Sequence, residues 1–151
     1  MTRDDLEFDV TYSFFIEKMN YRLLTRIDKA ISLAYIVLGC SVFTPLNNVF
    51  LFGVLVATLS VMQVVYQFGL EAGLSKEQMR QYKRLLIEMS DYSDDELRGR
   101  YLRIQDADSS PWQSLEEAAY IRASTAMGRT VNDRLSFKSA VVAWVAGDLP
   151  N

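Results

Sequence analysis

Hydrophobic positions are distributed very unevenly along this chain. Residues 30–70 form a run of 41 without a single Lys, Arg, Asp or Glu, and the 16 basic and 19 acidic residues all lie outside it. A helix needs about 20 residues to cross a hydrocarbon core about 30 Å thick. The run is therefore too long for one crossing and long enough for two, which predicts a pair of membrane-spanning helices.

A short polar interruption divides the run. The segment Phe43–Asn48 reads FTPLNN, in which Pro45 cannot continue a helix and the two asparagines favour a turn. We predict a tight hairpin, with a first span over Ala30–Leu46 and a second over Val49–Leu70. The alternative is the buried two-helix core of a soluble protein, which is disfavoured because neither apolar helix has a charged face.

Basic residues flank the run at both ends and are absent from the turn. Arg26 and Lys29 precede the first span, and Lys76 and Arg80 follow the second. By the positive-inside rule, both termini are expected in the cytoplasm and the turn outside. The chain then divides into an N-terminal cytoplasmic helix (residues 1–29), a transmembrane hairpin (residues 30–70) and a C-terminal cytoplasmic helical domain (residues 71–151).

Outside the hairpin, apolar residues recur at helical spacing and no alternating strand pattern is found. The predicted fold is therefore all-α, an integral membrane hairpin with a cytoplasmic helical bundle. The stripe formed by Tyr12, Phe15, Met19 and Leu23 is expected to lead straight into the first span. Each cytoplasmic helix has an apolar stripe that one small monomer has little core to bury, so we expect a homo-oligomer.

Capping signals predict where several cytoplasmic helices begin and end. Ser75–Gln78 and Ser93–Glu96 both match the capping-box pattern, and Pro111, after a serine, takes the first position of a third helix. Gly128 is a candidate C-terminal cap for that helix. A last, apolar helix is predicted over Asp133–Ala146.

The composition argues against an enzyme. The chain has no histidine and a single cysteine, Cys40, so the commonest general base is missing and a paired-cysteine zinc site is excluded. It also lacks a glycine-rich phosphate loop and a nucleophile elbow. The acidic cluster at Asp91–Glu96 is interpreted as charge that complements a helix N-terminus. We expect no catalytic residue, no metal and no cofactor.

One face of the second span carries small and polar residues at steps of three or four. Two interpretations are open. Small residues let helices approach closely and glutamines hydrogen-bond between helices, so the face can be a packing surface. Alternatively, it lines a water-filled pore once several copies assemble, because a two-span subunit cannot enclose a pore alone. The pore-lining candidates are Gly53, Ala57, Ser60, Gln63 and Gln67.

Basic and aromatic side chains are interleaved on the first cytoplasmic helices. Arginines bind phosphates and aromatic rings stack on bases, so the set is a candidate site for a nucleotide or oligonucleotide. The alternative is a set of solvated faces, with some basic residues near anionic lipid headgroups. The candidate ligand-binding residues are Arg80, Lys83, Arg84, Arg98, Arg100, Arg103, Tyr101 and Trp112.

The order of these segments resembles a known family. A basic helix (YRLLTRIDKA) precedes two spans joined by a minimal turn, a charged helix (KEQMRQYKRLLIEM) follows, and an Ala-rich helix comes after a proline (PWQSLEEAAYIRASTAMG). Over about residues 12–128 the pattern is similar to the SLATT family of two-transmembrane effectors in prokaryotic anti-phage and conflict systems.

The resemblance implies a pore-forming or channel-like effector in the bacterial inner membrane. Such effectors accompany nucleotidyltransferase-type enzymes that make nucleotide signals, and membrane permeabilisation arrests growth of the infected cell. Carried onto this chain, Gly53, Ser60, Gln63 and Gln67 would line the pore and the cytoplasmic helices would sense the signal. Two other functions stay open, a phage holin-like lysis protein and a membrane-anchored scaffold that recruits a cytoplasmic partner.

Overall fold

The computed structural model describes residues 2–41, 49–107, 109–130 and 136–147. Every regular element in these ranges is helical, which confirms the all-α prediction for this part of the chain. The turn predicted at Phe43–Asn48 lies outside it. The α-helices are α1 (Arg3–Ser41), α2 (Val49–Tyr66), α3 (Phe68–Glu88), α4 (Asp94–Gln105), α5 (Glu116–Ala126) and α6 (Phe137–Ala146), with short 3-10 turns at Met89–Asp91 and Gln113–Leu115.

The helix α1 belongs to both the bundle and the apolar segment. Its 39 residues continue without a break from the charged N-terminus to Ser41, as the apolar stripe predicts. Met19 and Leu23 are buried in the bundle, whereas Leu33 and Ile36 are each more than 60% exposed. The bundle therefore continues directly into an uncovered apolar helix.

The bundle core surrounds α1, which packs most extensively against α3 and also contacts α5 and α6. One hydrophobic cluster joins Met19 and Leu23 to Ala119 of α5 and Ala143 of α6. A second cluster joins the N-terminal turns of α1 to Tyr82 of α3 and to α4. The buried alanines let α5 and α6 approach α1 closely, because a methyl side chain adds little thickness at the contact.

Two of the predicted helix ends are confirmed. Ser93 begins α4 with a capping box, in which its backbone N–H donates to Glu96 Oε2 over 3.1 Å. Gly128 follows the end of α5 with a φ of +71°, and the Arg129 N–H donates to the Ser124 carbonyl over 2.9 Å. Both motifs satisfy backbone groups that a helix end leaves without partners.

Two other predicted helix starts are wrong. Ser75 does not cap a helix, because it lies inside α3 and is fully buried. Pro111 does not open a helix either; it precedes the 3-10 turn, and α5 begins at Glu116. In both cases the local motif is present but tertiary packing uses the side chain or the segment differently. The last helix begins at Phe137, and the start predicted at Asp133 lies outside the described residues.

A buried chain of hydrogen bonds explains why Ser75 is needed inside α3. Asn20 Nδ2 on α1 donates to Ser75 Oγ over 2.7 Å, and Ser75 Oγ lies 3.1 Å from Ser109 Oγ. Ser109 Oγ in turn lies 2.8 Å from both carboxylate oxygens of Glu17. Because each hydroxyl has one proton, the bonds run in one direction, from the Asn20 amide to the Glu17 carboxylate. The chain ties α1 and α3 to the segment between α4 and α5.

The helix α2 is almost entirely uncovered. The segment Phe50–Asp91 contains a window with mean hydropathy 1.8, none of which is buried, and it is long and apolar enough to cross a membrane. It is the one such segment in the described part of the chain. Its apolar part, the 18-residue α2, is about 27 Å long at 1.5 Å per residue, close to the thickness of a hydrocarbon core.

A single residue separates α2 from α3. Gln67 has φ +44° and ψ +44°, a left-handed conformation that is unfavourable for a side chain with a Cβ. Its carbonyl accepts the N–H groups of Leu70 and Glu71 and so begins α3. The charge-free run continues beyond this break, but Phe68 is only 3% exposed and packs against Leu24 of α1. Phe68, near the end of the run, therefore contributes to the bundle, whereas Leu70 is exposed.

We predict that Gln67→Gly leaves stability unchanged or raises it. The left-handed conformation costs a non-glycine residue about 1–2 kcal/mol, which offsets the extra chain entropy that glycine loses on folding. The matched control is Gln81→Gly, a glutamine in the helical part of α3, which should lower Tm by about 2–4 °C. Thermal unfolding followed by circular dichroism measures both. Equal losses of Tm in the two variants would contradict the assigned conformation.

We predict that Ser75→Ala destabilises the bundle by about 2 kcal/mol, because the Asn20 amide and the Ser109 hydroxyl each lose a buried partner. For a chain of this length, that loss lowers Tm by about 4–8 °C. Ser90→Ala is the control, since Ser90 is exposed and its bond to Asp91 is local; its Tm should stay within about 2 °C of wild type. A Ser75→Ala variant as stable as this control would show that the buried chain of hydrogen bonds adds no stability to the protein.

Candidate functional site

Three arginines converge on a groove between α3 and α4. Tyr82 of α3 and Tyr101 of α4 are buried against each other, with ring centroids 6.1 Å apart, and hold the two helices together. Arg84 on α3 and Arg100 and Arg103 on α4 lie on the outer side of this contact. The groove has a volume of about 460 Å³ and is lined by Glu77, Gln81, Arg84, Leu85, Glu88, Arg100, Arg103 and Ile104.

Neighbouring contacts position Arg100. Its guanidinium lies over the Tyr92 ring, 4.1 Å from the ring centroid. The Tyr92 hydroxyl donates to Glu88 Oε2 over 2.7 Å. That bond, together with partial burial, raises the pKa of the Tyr92 phenol above its ordinary value. The stack of Arg100 on Tyr92 leaves the edge of the guanidinium, where its N–H donors lie, free to meet an anion.

The basic surface continues from the groove along α3. Arg80, Lys83 and Arg84 line an adjoining depression of about 400 Å³ together with Ile87 and Glu88. Arg80 forms a loose ion pair with Glu77, with 3.6 Å between Arg80 Nη1 and Glu77 Oε2, and both side chains are exposed. The two depressions together contain five cationic side chains and two carboxylates. Their balance is positive in a chain whose net charge is −3, so the surface favours an anionic ligand.

Three of the predicted ligand-binding residues line neither the groove nor the adjoining depression. Arg98 is exposed on α4 but lies two residues from Arg100, which is about 200° around the helix. Tyr101 cannot stack on a base, because it is 7% exposed and its hydroxyl lies 3.4 Å from Ser13 Oγ. The Trp112 ring is 39% exposed and its backbone N–H donates to Asn20 Oδ1, which places it beside the buried chain of hydrogen bonds.

The pore-lining candidates of α2 are divided between two surroundings. Ser60 Oγ accepts the Tyr35 hydroxyl of α1 over 3.0 Å and donates to the Val56 carbonyl over 2.8 Å. Gln63 is half-buried on the side that faces α1. Gly53 and Ala57 are exposed, and a Cβ at Gly53 would meet nothing within 4 Å. Gln67, also exposed, lies at the break after α2 rather than on the helix.

The sequence analysis did not identify the buried polar residues of α1 as a group. Glu17 and Asn20 are each 1% exposed, three residues apart in the same stripe as Ile16 and Met19. The sequence did contain a signal for this buried polar group, because Glu17 and Asn20 interrupt an otherwise apolar stripe. Their partners Ser75 and Ser109 are more than 50 residues away in sequence, so only the fold brings them together.

No family model, curated protein or solved structure matches this chain. The functional interpretation therefore depends on the geometry of the described residues and on the pattern of hydropathy and helix order. The geometry provides an exposed apolar helix at one end and an arginine groove on the bundle.

We predict that the groove binds phosphate-bearing ligands through Arg100 and Arg103. ATP and a four-nucleotide oligoadenylate are the probes, titrated against the full chain in maltoside detergent by calorimetry. The double variant Arg100→Gln, Arg103→Gln should weaken binding at least about tenfold, because each charge-assisted contact to phosphate contributes about 1.5–3 kcal/mol. Arg98→Gln, on the other side of α4, is the control and should bind as wild type does.

The salt dependence separates a phosphate site from non-specific attraction. Binding should weaken as salt rises, and the slope of log affinity against log salt should become shallower in the double variant but not in the control. Equal losses of affinity in the two variants would contradict the groove assignment and indicate a diffuse basic surface.

Proposed function

We propose that this protein is an oligomeric, pore-forming membrane effector of the SLATT type, controlled by a phosphate-bearing signal in the groove between α3 and α4. In this proposal α2 and the apolar end of α1 are the two spans, and both termini lie in the cytoplasm of a bacterium. The signal is a nucleotide or oligonucleotide made by a partner nucleotidyltransferase-type enzyme. Opening of the channel permeabilises the inner membrane and stops growth.

The observation that carries the proposal is the exposure of α2. Phe50 is 85% exposed and Val64 is 74% exposed, whereas Met19 and Leu97 in the bundle core are fully buried. A continuous apolar surface of this kind is unfavourable in water, at about 25 cal/mol per Å², and marks contact with a membrane or a partner. The apolar end of α1 lies beside α2 and is uncovered in the same way. A lipid bilayer covers both.

A second uncovered surface supports the oligomer. On α6, Phe137, Val141 and Trp144 recur at steps of four and three and are 84%, 44% and 70% exposed. The opposite face of α6 is packed against α1, where Arg22 and Arg26 bind the last carbonyls of the helix. The apolar face is therefore held in a fixed position on the bundle, where a second copy of the chain can cover it.

The contact between Tyr35 and Ser60 identifies the side of the hairpin that we assign to the pore. Small residues lie one and two turns of α2 before Ser60, at Ala57 and Gly53, and Gly39 lies one turn beyond Tyr35 on α1. Because the hydrogen bond places Tyr35 and Ser60 on the same side, these small residues share that side. It is the least apolar side of the hairpin, and it allows either water or a closely packed helix to approach.

The helix α3 gives a physical route from the groove to the membrane. Arg84 lies on α3, 16 residues or about 24 Å from Phe68, where the helix begins. Only Gln67 separates that point from α2. A ligand that draws α3 and α4 together displaces the helix to which the membrane segment is attached, so binding and channel opening are linked through one rigid element.

A specific observation favours a second candidate, the membrane-anchored scaffold. Ser60 is already hydrogen-bonded within the protomer and Gln63 is half-buried against α1. Both are what a purely packed face would give. In the scaffold, the bundle recruits a cytoplasmic partner and the hairpin is inert. The holin-like alternative receives no such support, because a lysis protein does not require a bundle with an arginine groove.

Cysteine accessibility tests the pore. We predict that Ala57→Cys, in a Cys40→Ala background, reacts with a charged methanethiosulfonate reagent at least about tenfold faster than Leu55→Cys, because a thiol ionises and reacts only where water reaches it. The two positions are both exposed and lie about 200° apart around α2. Modification of Ala57→Cys should also change the ion leak of induced cells or of reconstituted vesicles.

The two candidate functions give different results in this experiment. If the protein is a channel, the wild type gives an ion leak and the cysteine of Ala57→Cys reacts with the reagent. A scaffold gives no leak under any inducing condition, and both cysteines stay unreactive in intact membranes. Oligomer size, measured by light scattering in maltoside detergent, is the control for each variant, since loss of the oligomer would remove the leak for a structural reason.

A further inference from the structure

A second pocket lies between α1 and α5 and shares no lining residue with the arginine groove. It has a volume of about 660 Å³ and is larger than the arginine groove. Its lining is aromatic and acidic: Phe8, Asp9 and Tyr12 from α1, and Glu116, Glu117, Tyr120 and Ile121 from α5. No basic side chain is among these described lining residues. The proposed function makes no use of this pocket.

Two of its aromatic rings form a corner. The Phe8 and Tyr120 rings are inclined at 70° with centroids 5.6 Å apart, and Tyr12 adds a half-buried third ring. A cation is attracted to the face of such a ring by the quadrupole of the π-system. The structure already contains one example, because the Arg129 guanidinium lies 4.8 Å from the Phe8 centroid at the edge of this region. The rings are therefore placed as the walls of a cation site.

The carboxylates of the pocket form no ion pair with the described residues, and the Arg129 guanidinium over Phe8 is paired with Asp4 instead. Glu117 accepts the backbone N–H of Ser136 over 3.1 Å, and neither Asp9 nor Glu116 has an ion pair in this part of the chain. Burial, followed by the charge of Asp5, raises the pKa of Asp9 above its ordinary value. Burial and the charge of Glu116 likewise raise the pKa of the Tyr12 phenol. Only the smaller cause of each shift, the neighbouring charge of Asp5 or Glu116, reflects a negative potential that would attract a cation.

We propose that this pocket binds a small organic ammonium ion, held against the rings of Phe8, Tyr12 and Tyr120 and neutralised by Asp9 and Glu116. The aromatic walls favour an alkylated ammonium over a metal ion, because a bare cation keeps its water more strongly than it is attracted to rings. The acidic lining excludes the anionic ligands that suit the arginine groove. The site does not depend on pore formation, so its test is independent of the proposed function.

The test uses the full chain in maltoside detergent, which has no ammonium headgroup to compete. The chain is labelled with 3-fluorotyrosine and titrated with tetramethylammonium chloride, with potassium chloride at the same ionic strength as the reference. The Tyr12 and Tyr120 fluorine signals, assigned by single Tyr→Phe replacements, should shift saturably with tetramethylammonium and not with potassium. Shifts of equal size with both salts would overturn the proposal.

Two variants probe the two kinds of wall. Tyr120→Leu removes an exposed ring and should weaken binding about threefold to thirtyfold, the range expected for one cation–π contact. Glu116→Gln removes an exposed charge and should weaken it about threefold or more. Asp106→Asn removes an exposed carboxylate elsewhere, on the end of α4, and should bind as wild type does. Unchanged affinity in both pocket variants would overturn the proposal.

An internal competitor is tested in parallel. Arg134 precedes Ser136 by two residues in the sequence, and Ser136 contacts Glu117. An Arg134→Gln variant should bind tetramethylammonium with the same affinity as wild type if the pocket serves an external ligand. Binding that appears only in this variant would assign the pocket to the arginine of the chain itself and would overturn the proposal.

Discussion

The structure depends on the packing of α1 against α3, which is fixed by the hydrogen bond between Asn20 and Ser75. Both helices continue into the apolar segments, α1 as one unbroken helix and α3 through the single residue Gln67. Their register in the bundle therefore determines where the two apolar helices meet. Tyr35 is 15 residues beyond Asn20, and Ser60 is 15 residues before Ser75, which is about 22 Å along each of the two paths. The Asn20–Ser75 bond between α1 and α3 is therefore equally far along both paths from the Tyr35–Ser60 bond between α1 and α2. Fixing the first pair brings Tyr35 level with Ser60.

A polar contact specifies this register better than an apolar one would. Apolar side chains in a helix pair tolerate rearrangement as long as volume is conserved. A displaced Asn20 would lose its acceptor, and the Glu17 carboxylate would lose the Ser109 hydroxyl, each at the cost of a buried polar group without a partner. The same hydrogen bonds attach the segment between α4 and α5 to α1 and α3 through Ser109. A shift of α1 against α3 would therefore disturb α5 as well. Stability and register come from one network.

The sequence was sufficient for the features that depend on local order. The helical class, the unbroken passage of α1, the Ser93 capping box and the Gly128 cap follow from spacing and from residues close in sequence. The predictions were wrong where the surroundings of a side chain depend on residues that are distant in sequence. The Ser75 motif has the form of a capping box, but its hydroxyl is taken by Asn20, 55 residues away. The basic set was predicted as a whole, yet only the packing of Tyr101 against Tyr82 shows which arginines share a groove and that Tyr101 itself is buried.

In the proposed function, the positions of the groove and of Gln67 along α3 would determine how a bound ligand acts. Arg84 lies nine residues beyond Ser75 and Gln67 lies eight residues before it, so the fixed contact with α1 is almost midway between them. The contacts with α1 extend from Phe68, in the cluster with Leu24, to Tyr82, in the cluster with Leu6 and Val10, so α3 would move as one rigid body and carry a displacement at the groove to the junction with α2. The left-handed Gln67 is the point at which α2 can keep its own orientation while α3 tilts, because a single residue outside helical geometry absorbs the change in angle. A straight helix through this point would instead require α2 to tilt with α3, against the Tyr35–Ser60 contact that holds it to α1. In the proposed channel, the left-handed Gln67 would therefore let α3 tilt without separating the two apolar helices.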